Sequence, residues 1–142
     1  GLVLQGNWAR KGGGLWAGPD SAVTLAGTVT ISDNAANAGG GLIATGVVLF
    51  PDDSGYVVVD VGENVAVIGN VAREGGGLLV MDDAQLSLRG RVFVKENSAR
   101  ELGGGIAVLF DGGLALHDAV SLRANSAGQG GGALFAQYPG LV

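Results

Sequence analysis

Asn125-Ser-Ala-Gly-Gln-Gly-Gly-Gly-Ala-Leu134 is the last of five copies of one phrase. Reduced to Asn, any residue, Ala, a few residues, a glycine triplet and an aliphatic, the phrase recurs at 7–15, 34–42, 70–78 and 97–106. Self-similarity at a fixed period of this length is the signature of a solenoid, in which each unit buries its apolar face only by stacking on its neighbours.

The residues upstream of each asparagine repeat as well. Five and three positions before it stand Leu2 and Leu4, Val29 and Ile31, Val65 and Val67, Val92 and Val94, Val120 and Leu122. Eleven and nine positions before it stand Val23 and Leu25, Val59 and Val61, Leu86 and Leu88, Leu114 and Leu116. After the glycines a third alternation begins at Leu15, Leu42, Leu78, Ile106 and Leu134. Period-two alternation of aliphatics marks half-buried strands. Three strands per repeat predict an all-β fold, a right-handed parallel β-helix (solenoid) of about five coils of 27–28 residues.

Within that frame 1–142 reads as a single β-helix segment, expected to be an excerpt of a longer repeat array because both ends fall inside a repeat. Leu15 to Val23, Leu78 to Leu86 and Ile106 to Leu114 are each eight residues apart, whereas Leu42 to Val59 is seventeen. The difference predicts a loop insertion at 47–57. Asn7, Asn34, Asn70, Asn97 and Asn125 are expected at a corner, where asparagine tolerates left-handed backbone and bonds neighbouring main chain, forming a ladder along the solenoid. Ala9, Ala36, Ala72, Ala99 and Ala127 imply a crowded wall at that corner.

Composition narrows the function classes. Twenty-eight glycines alongside 47% hydrophobic residues fit neither collagen nor a disordered chain. Thirteen acids against eight bases give a net charge of -5, so no nucleic-acid partner is expected, since phosphate binding needs clustered cations. With no cysteine and one histidine, neither a thiolate nor an imidazole metal site is expected, and no cofactor is implied. No apolar run reaches the ~20 residues of a membrane-spanning helix.

The repeats resemble those of the polymorphic outer membrane proteins, first recognised in chlamydial autotransporters and built on a pectin-lyase-like right-handed β-helix. That family pairs a Gly-Gly-Ala-aliphatic motif, matched by Gly131-Gly132-Ala133-Leu134, with Phe-X-X-Asn, where Ile31, Val67, Val94 and Leu122 replace the phenylalanine. The resemblance implies an extracellular or cell-surface β-helix associated with adhesion. The repeats also resemble those of large extracellular proteins of microbial eukaryotes, including filament-forming ones. The family motifs are structural, so the resemblance implies no catalytic residue.

Three sets of residues are candidate sites. The outward row of the third strand should be polar but reads Trp16, Ile43, Leu79, Ala107 and Phe135, with Met81, Leu109 and Phe110 beside it. This is the expected interaction surface, facing a protein partner, neighbouring repeats or filament subunits, unless the inserted loop folds over it. Asp20, Asp52, Asp53, Asp82, Asp83 and Asp111 follow that strand; stacked carboxylates are calcium ligands, but aspartate is also an ordinary turn residue, and no metal is expected here. Asp60, Glu63, Arg89, Arg91, His117 and Asp118 gather at another corner, the one place where a carbohydrate-active enzyme, a lyase or hydrolase of pectate-lyase-like fold, could seat its acids and bases. The sequence is expected to form a non-enzymatic structural or adhesion module.

Overall fold

The computed structural model describes residues 1–46 and 57–138. Among these residues all regular structure is β, wound as a parallel solenoid with four sheets running along its axis. Sheet I stacks Leu2–Gln5, Thr28–Ser32, Asn64–Ile68, Arg91–Lys95 and Ala119–Arg123. Sheet II stacks Trp8–Lys11, Ala35–Ala38, Val71–Glu74, Ser98–Leu102 and Ser126–Ala127. Sheet III stacks Leu15–Ala17, Leu42–Thr45, Leu78–Met81, Ile106–Leu109 and Leu134–Gln137, and sheet IV stacks Ala22–Leu25, Val58–Val61, Gln85–Leu88 and Gly113–Leu116.

Two expectations are corrected by this topology. Each coil has four strands, not three, and the described residues make four complete turns and three strands of another, not five coils. The unexpected strand is the Asn-X-Ala phrase itself, which is a strand flanked by two corners. It escaped the alternation test because its inward positions carry only the methyl groups of Ala9, Ala36, Ala72, Ala99 and Ala127. Its backbone is nonetheless paired rung to rung, with Ala36 opposite Ala9 and Ala99 opposite Ala72.

The predicted register holds on the other sheets. Val29, Val65 and Val92 align with Leu2 and Val120 on sheet I, and Leu78 aligns with Leu42 and Ile106 on sheet III. The inward rows of sheets I, III and IV meet in one core that includes Ile31, Leu42, Val59, Val67, Leu78, Leu86, Val94 and Ile106. At about 25 cal/mol per Å² of apolar area, these stacked aliphatic rows are the main stabilising term. The predicted 47–57 insertion lies outside the described residues except for Val57, which is buried in that core.

Left-handed residues turn the corners. Between sheets I and II they are Gly6, Asp33, Gly69, Glu96 and Ala124, with φ between 50° and 67°. Between sheets IV and I they are Gly27, Glu63, Gly90 and Asp118. Asp20, Asp82, Asp83 and Asp111 take φ of 55° to 61° after sheet III, which accounts for these four aspartates as turn formers; Asp52 and Asp53 lie outside the described residues.

The corner from sheet II to sheet III admits only glycine. Gly39, Gly75, Gly103 and Gly131 have positive φ, and a Cβ there would stand 2.6 to 2.7 Å from the Cβ of Ile43, Leu79, Ala107 and Phe135. A Cβ on the second glycine of the triplet strikes the neighbouring coil instead: at Gly76 it would lie 2.5 Å from the carbonyl oxygens of Gly104 and Ser98. The triplet is therefore a backbone-on-backbone contact along and between coils.

Candidate interaction surface

Sheet III is buried on both faces over its middle strands. The outward Ile43, Leu79 and Ala107 are fully buried and Leu109 nearly so; they form a second apolar cluster, separate from the core, against which Ala38, Met81 and Phe135 pack. A parallel strand covered on both faces reads as a continuous apolar run, which is why the outward row broke the alternation. The residues marked for docking thus divide. Ile43, Leu79, Ala107 and Leu109 lie inside the chain, whereas Trp16 and Phe110 remain 56% and 54% exposed at the margins. The open apolar row expected from the sequence is not present in the middle of this sheet.

The charged corner between sheets IV and I is partly assembled. Asp60 Oδ1 and Arg89 Nε stand 3.8 Å apart, Arg89 Nε donates to Ser87 Oγ at 3.1 Å, and Gly90 N donates to Asp118 Oδ2 at 3.1 Å. An open groove lies here, lined by Thr24, Asp60, Glu63, Arg89 and Gly90. No hydrogen bond joins His117 to these carboxylates among the described residues, and Glu63 and Asp118 hold the left-handed turn with φ of 68° and 56°. Turning accounts for Glu63 and Asp118 and an exposed ion pair for Asp60 and Arg89, while the side chains of Arg91 and His117 make no hydrogen bond or ion pair among the described residues.

The asparagine ladder is continuous. Asn7 donates from N and Nδ2 to Asn34 Oδ1, Asn34 to Asn70, Asn70 to Asn97 and Asn97 to Asn125, all at 2.9 to 3.0 Å. Each Nδ2 from Asn34 onward also donates back to the carbonyl of Leu4, Ile31, Val67 or Val94. The three central asparagines are buried with every side-chain polar atom satisfied, a condition without which burial of amides would be costly.

Sheet II presents a surface that the sequence reading passed over. Its outward side carries Arg10, Asn37, Arg73 and Arg100, one from each of four coils, all exposed. Beside them stand Trp8, Ala35, Val71 and Ser98 in register, with Trp8 78% exposed. The signal was available: arginine recurs three residues after the asparagine in three copies of the phrase. Arg73 reaches Glu74 at 3.3 Å and Glu101 at 3.9 Å. The second contact is diagonal and arises at a bulge, where Arg100 and Glu101 together oppose Arg73.

Among the described residues no group of three or more histidine, cysteine or acidic side chains is placed to hold a metal ion, and no helix is long and apolar enough to cross a membrane. Set against known proteins, the chain matches no family model, no curated protein and no solved structure.

Proposed function

We propose that the chain is a non-enzymatic structural or adhesion module on the outside of a cell, part of a right-handed β-helix in a surface protein or filament. The asparagine ladder carries this reading. The residues that repeat from coil to coil, Asn34, Asn70 and Asn97 with the glycines that follow, are engaged in stacking, while the residues facing solvent, the sheet II arginines apart, change identity from coil to coil. A chain whose repeated features serve its length, with a variable exterior, suits a scaffold that displays surface. The motif resemblance to polymorphic outer membrane protein repeats points the same way and supplies the extracellular setting. Partners, whether neighbouring repeats, filament subunits or another protein, would meet the exposed margins at Trp16 and Phe110, not the buried Leu79.

The test is labelling of intact, unpermeabilised source cells with an antibody against this segment. Surface signal removed by external protease supports the reading, and signal that appears only after permeabilisation overturns it. The second reading, a carbohydrate-active enzyme of pectate-lyase-like fold, draws on the Asp60–Arg89 groove alone. Polysaccharide cleavage by the chain that disappears in Asp60→Asn would favour it over the scaffold.

A further inference from the structure

Sheet II differs in charge from the rest of the molecule. Its strands hold four of the chain's eight basic residues, Arg10, Lys11, Arg73 and Arg100, but only two of its thirteen acids, Glu74 and Glu101. The remainder carries four bases against eleven acids. A net positive strip on an otherwise acidic protein is a local attraction for anions.

Its shape is as specific as its charge. An open trough of about 510 Å³ runs across the strands from Trp8 past Asn37 and Arg73 to Arg100, with Ala35, Ala36 and Ala72 in its lining. At one end the strip continues around the corner, where Arg10 and Lys11 share a second hollow with Trp16. Two exposed indoles therefore bracket a pair of cations. Arg10 and Arg100 have no carboxylate within ion-pair distance among the described residues, and the exposed contacts of Arg73 with Glu74 and Glu101 are of a kind worth little.

We propose that this strip binds an anionic polysaccharide laid along the solenoid axis. Adjacent strands are about 4.8 Å apart, a spacing comparable to the length of one sugar residue, so acidic groups along the chain meet Arg10, Arg73 and Arg100 on the first, third and fourth coils. Guanidinium groups are planar forks suited to carboxylate or sulfate oxygens, the Asn37 amide complements hydroxyl groups, and the Trp8 and Trp16 faces suit the C–H side of a pyranose ring. The four coils span three rises, about 14 Å, room for a segment of about three sugars. A protein partner fits less well, because the large apolar side chains of the trough, Trp8 and Val71, are separated by the small Ala35 and stand beside guanidinium groups, so they form no desolvated anchor pocket. A nucleic acid fits less well because its dense phosphates would face the acidic remainder of the chain.

The proposal adds a glycan partner at sheet II to the adhesion reading and rests on that reading for its setting, but its test is made in solution and is independent of where the protein resides. Titration calorimetry of the 142-residue chain would use a polyuronate oligosaccharide, a sulfated oligosaccharide and a neutral glucan oligosaccharide of matched length. Binding of either acidic probe, with none of the neutral one, is expected, and the two acidic probes separate carboxylate from sulfate preference. The Arg73→Gln/Arg100→Gln double variant should weaken binding at least about tenfold, Trp8→Ala should weaken it too, and Lys95→Gln/Arg123→Gln, which removes the same charge from sheet I, should leave it unchanged. All are exposed side chains, and unchanged melting curves confirm that folding is not the cause. Equal weakening in the two double variants, or no binding of any acidic probe, overturns the proposal. Self-association lost in Arg73→Gln/Arg100→Gln without glycan binding also overturns it, and assigns the strip to a second copy.

Discussion

Asn70 Oδ1 accepts both the backbone N–H and the side-chain Nδ2–H of Asn34, each at 3.0 Å. Asn70 Nδ2 in turn donates to Asn97 Oδ1 and to the carbonyl of Ile31, both at 2.9 Å. One carboxamide thereby joins coils on either side of its own, and all of its hydrogen-bonding groups are engaged.

Asn70→Ala strips the buried backbone N–H of Asn34 of its side-chain acceptor and removes one hydrogen bond each from the Asn34 amide, the Asn97 Oδ1 and the Ile31 carbonyl. A loss of about 3 kcal/mol of unfolding free energy is expected. Asn7→Ala, at an exposed rung with a neighbour on one side only, should cost about 1 kcal/mol. Denaturant unfolding of the two variants checks the difference; equal losses would mean that the ladder does not stabilise the stack.

Glycine positions should divide by what lies in front of them. Gly76→Ala forces a methyl group to 2.5 Å from two carbonyl oxygens, and we expect a cost of about 3 kcal/mol. Gly6→Ala meets nothing within 4 Å, so only the left-handed backbone is penalised, by about 1 kcal/mol. Ala124 already occupies the equivalent corner with φ of 50°. Thermal melts of the two variants provide the comparison.

Leu79 is a stability residue. Leu79→Ala should cost about 2–5 kcal/mol through the cavity it leaves, and Leu79→Asp should unfold the chain by burying an unpaired charge. Trp16→Ser, on the same row but exposed, should change stability by no more than about 0.5 kcal/mol. Circular dichroism melts test this, and a folded, stable Leu79→Asp protein would return the row to the surface.

Asp82 provides a pH signature of unusual sign. Burial pushes its carboxyl above the ordinary 3.8, and Asp83 adds to this, while the hydrogen bond from Thr45 Oγ1 at 3.2 Å and the charge of Lys11 oppose it. The folded state therefore holds this proton more tightly than the unfolded state. Its contribution to stability is full below pH 3.8 and is lost as pH rises through the raised value. Asp82→Asn keeps a side chain that tolerates the left-handed turn at φ of 55°. It should raise the melting temperature at pH 7 and leave it unchanged near pH 3, and a uniform shift at both pH values would refute the assignment.

The solenoid was legible because it rests on local, repeated rules. Val29 and Ile31, or Leu86 and Leu88, alternate because one face of each strand is buried, and equal spacing carries that face from coil to coil. The asparagine ladder was legible for the same reason, as a polar residue repeated at one corner position. Sheet II was not, since a strand whose inward residues are Ala36, Ala72 and Ala99 leaves no hydrophobic alternation. Its arginines recur at one offset, but with Asn37 in the second copy and a bulge at Arg100, their alignment appears only when strands are stacked.

The amino-acid sequence by itself determined the period, the parallel stacking and the identity of the core rows, because burial of alternate side chains is written into neighbouring residues. Which outward residues meet water was decided only by tertiary structure. Ile43 and Leu79 have the same place in the repeat as Trp16, yet they are buried and Trp16 is not. Exposure depends on what packs over a residue from distant parts of the chain, and a repeat pattern carries no term for that.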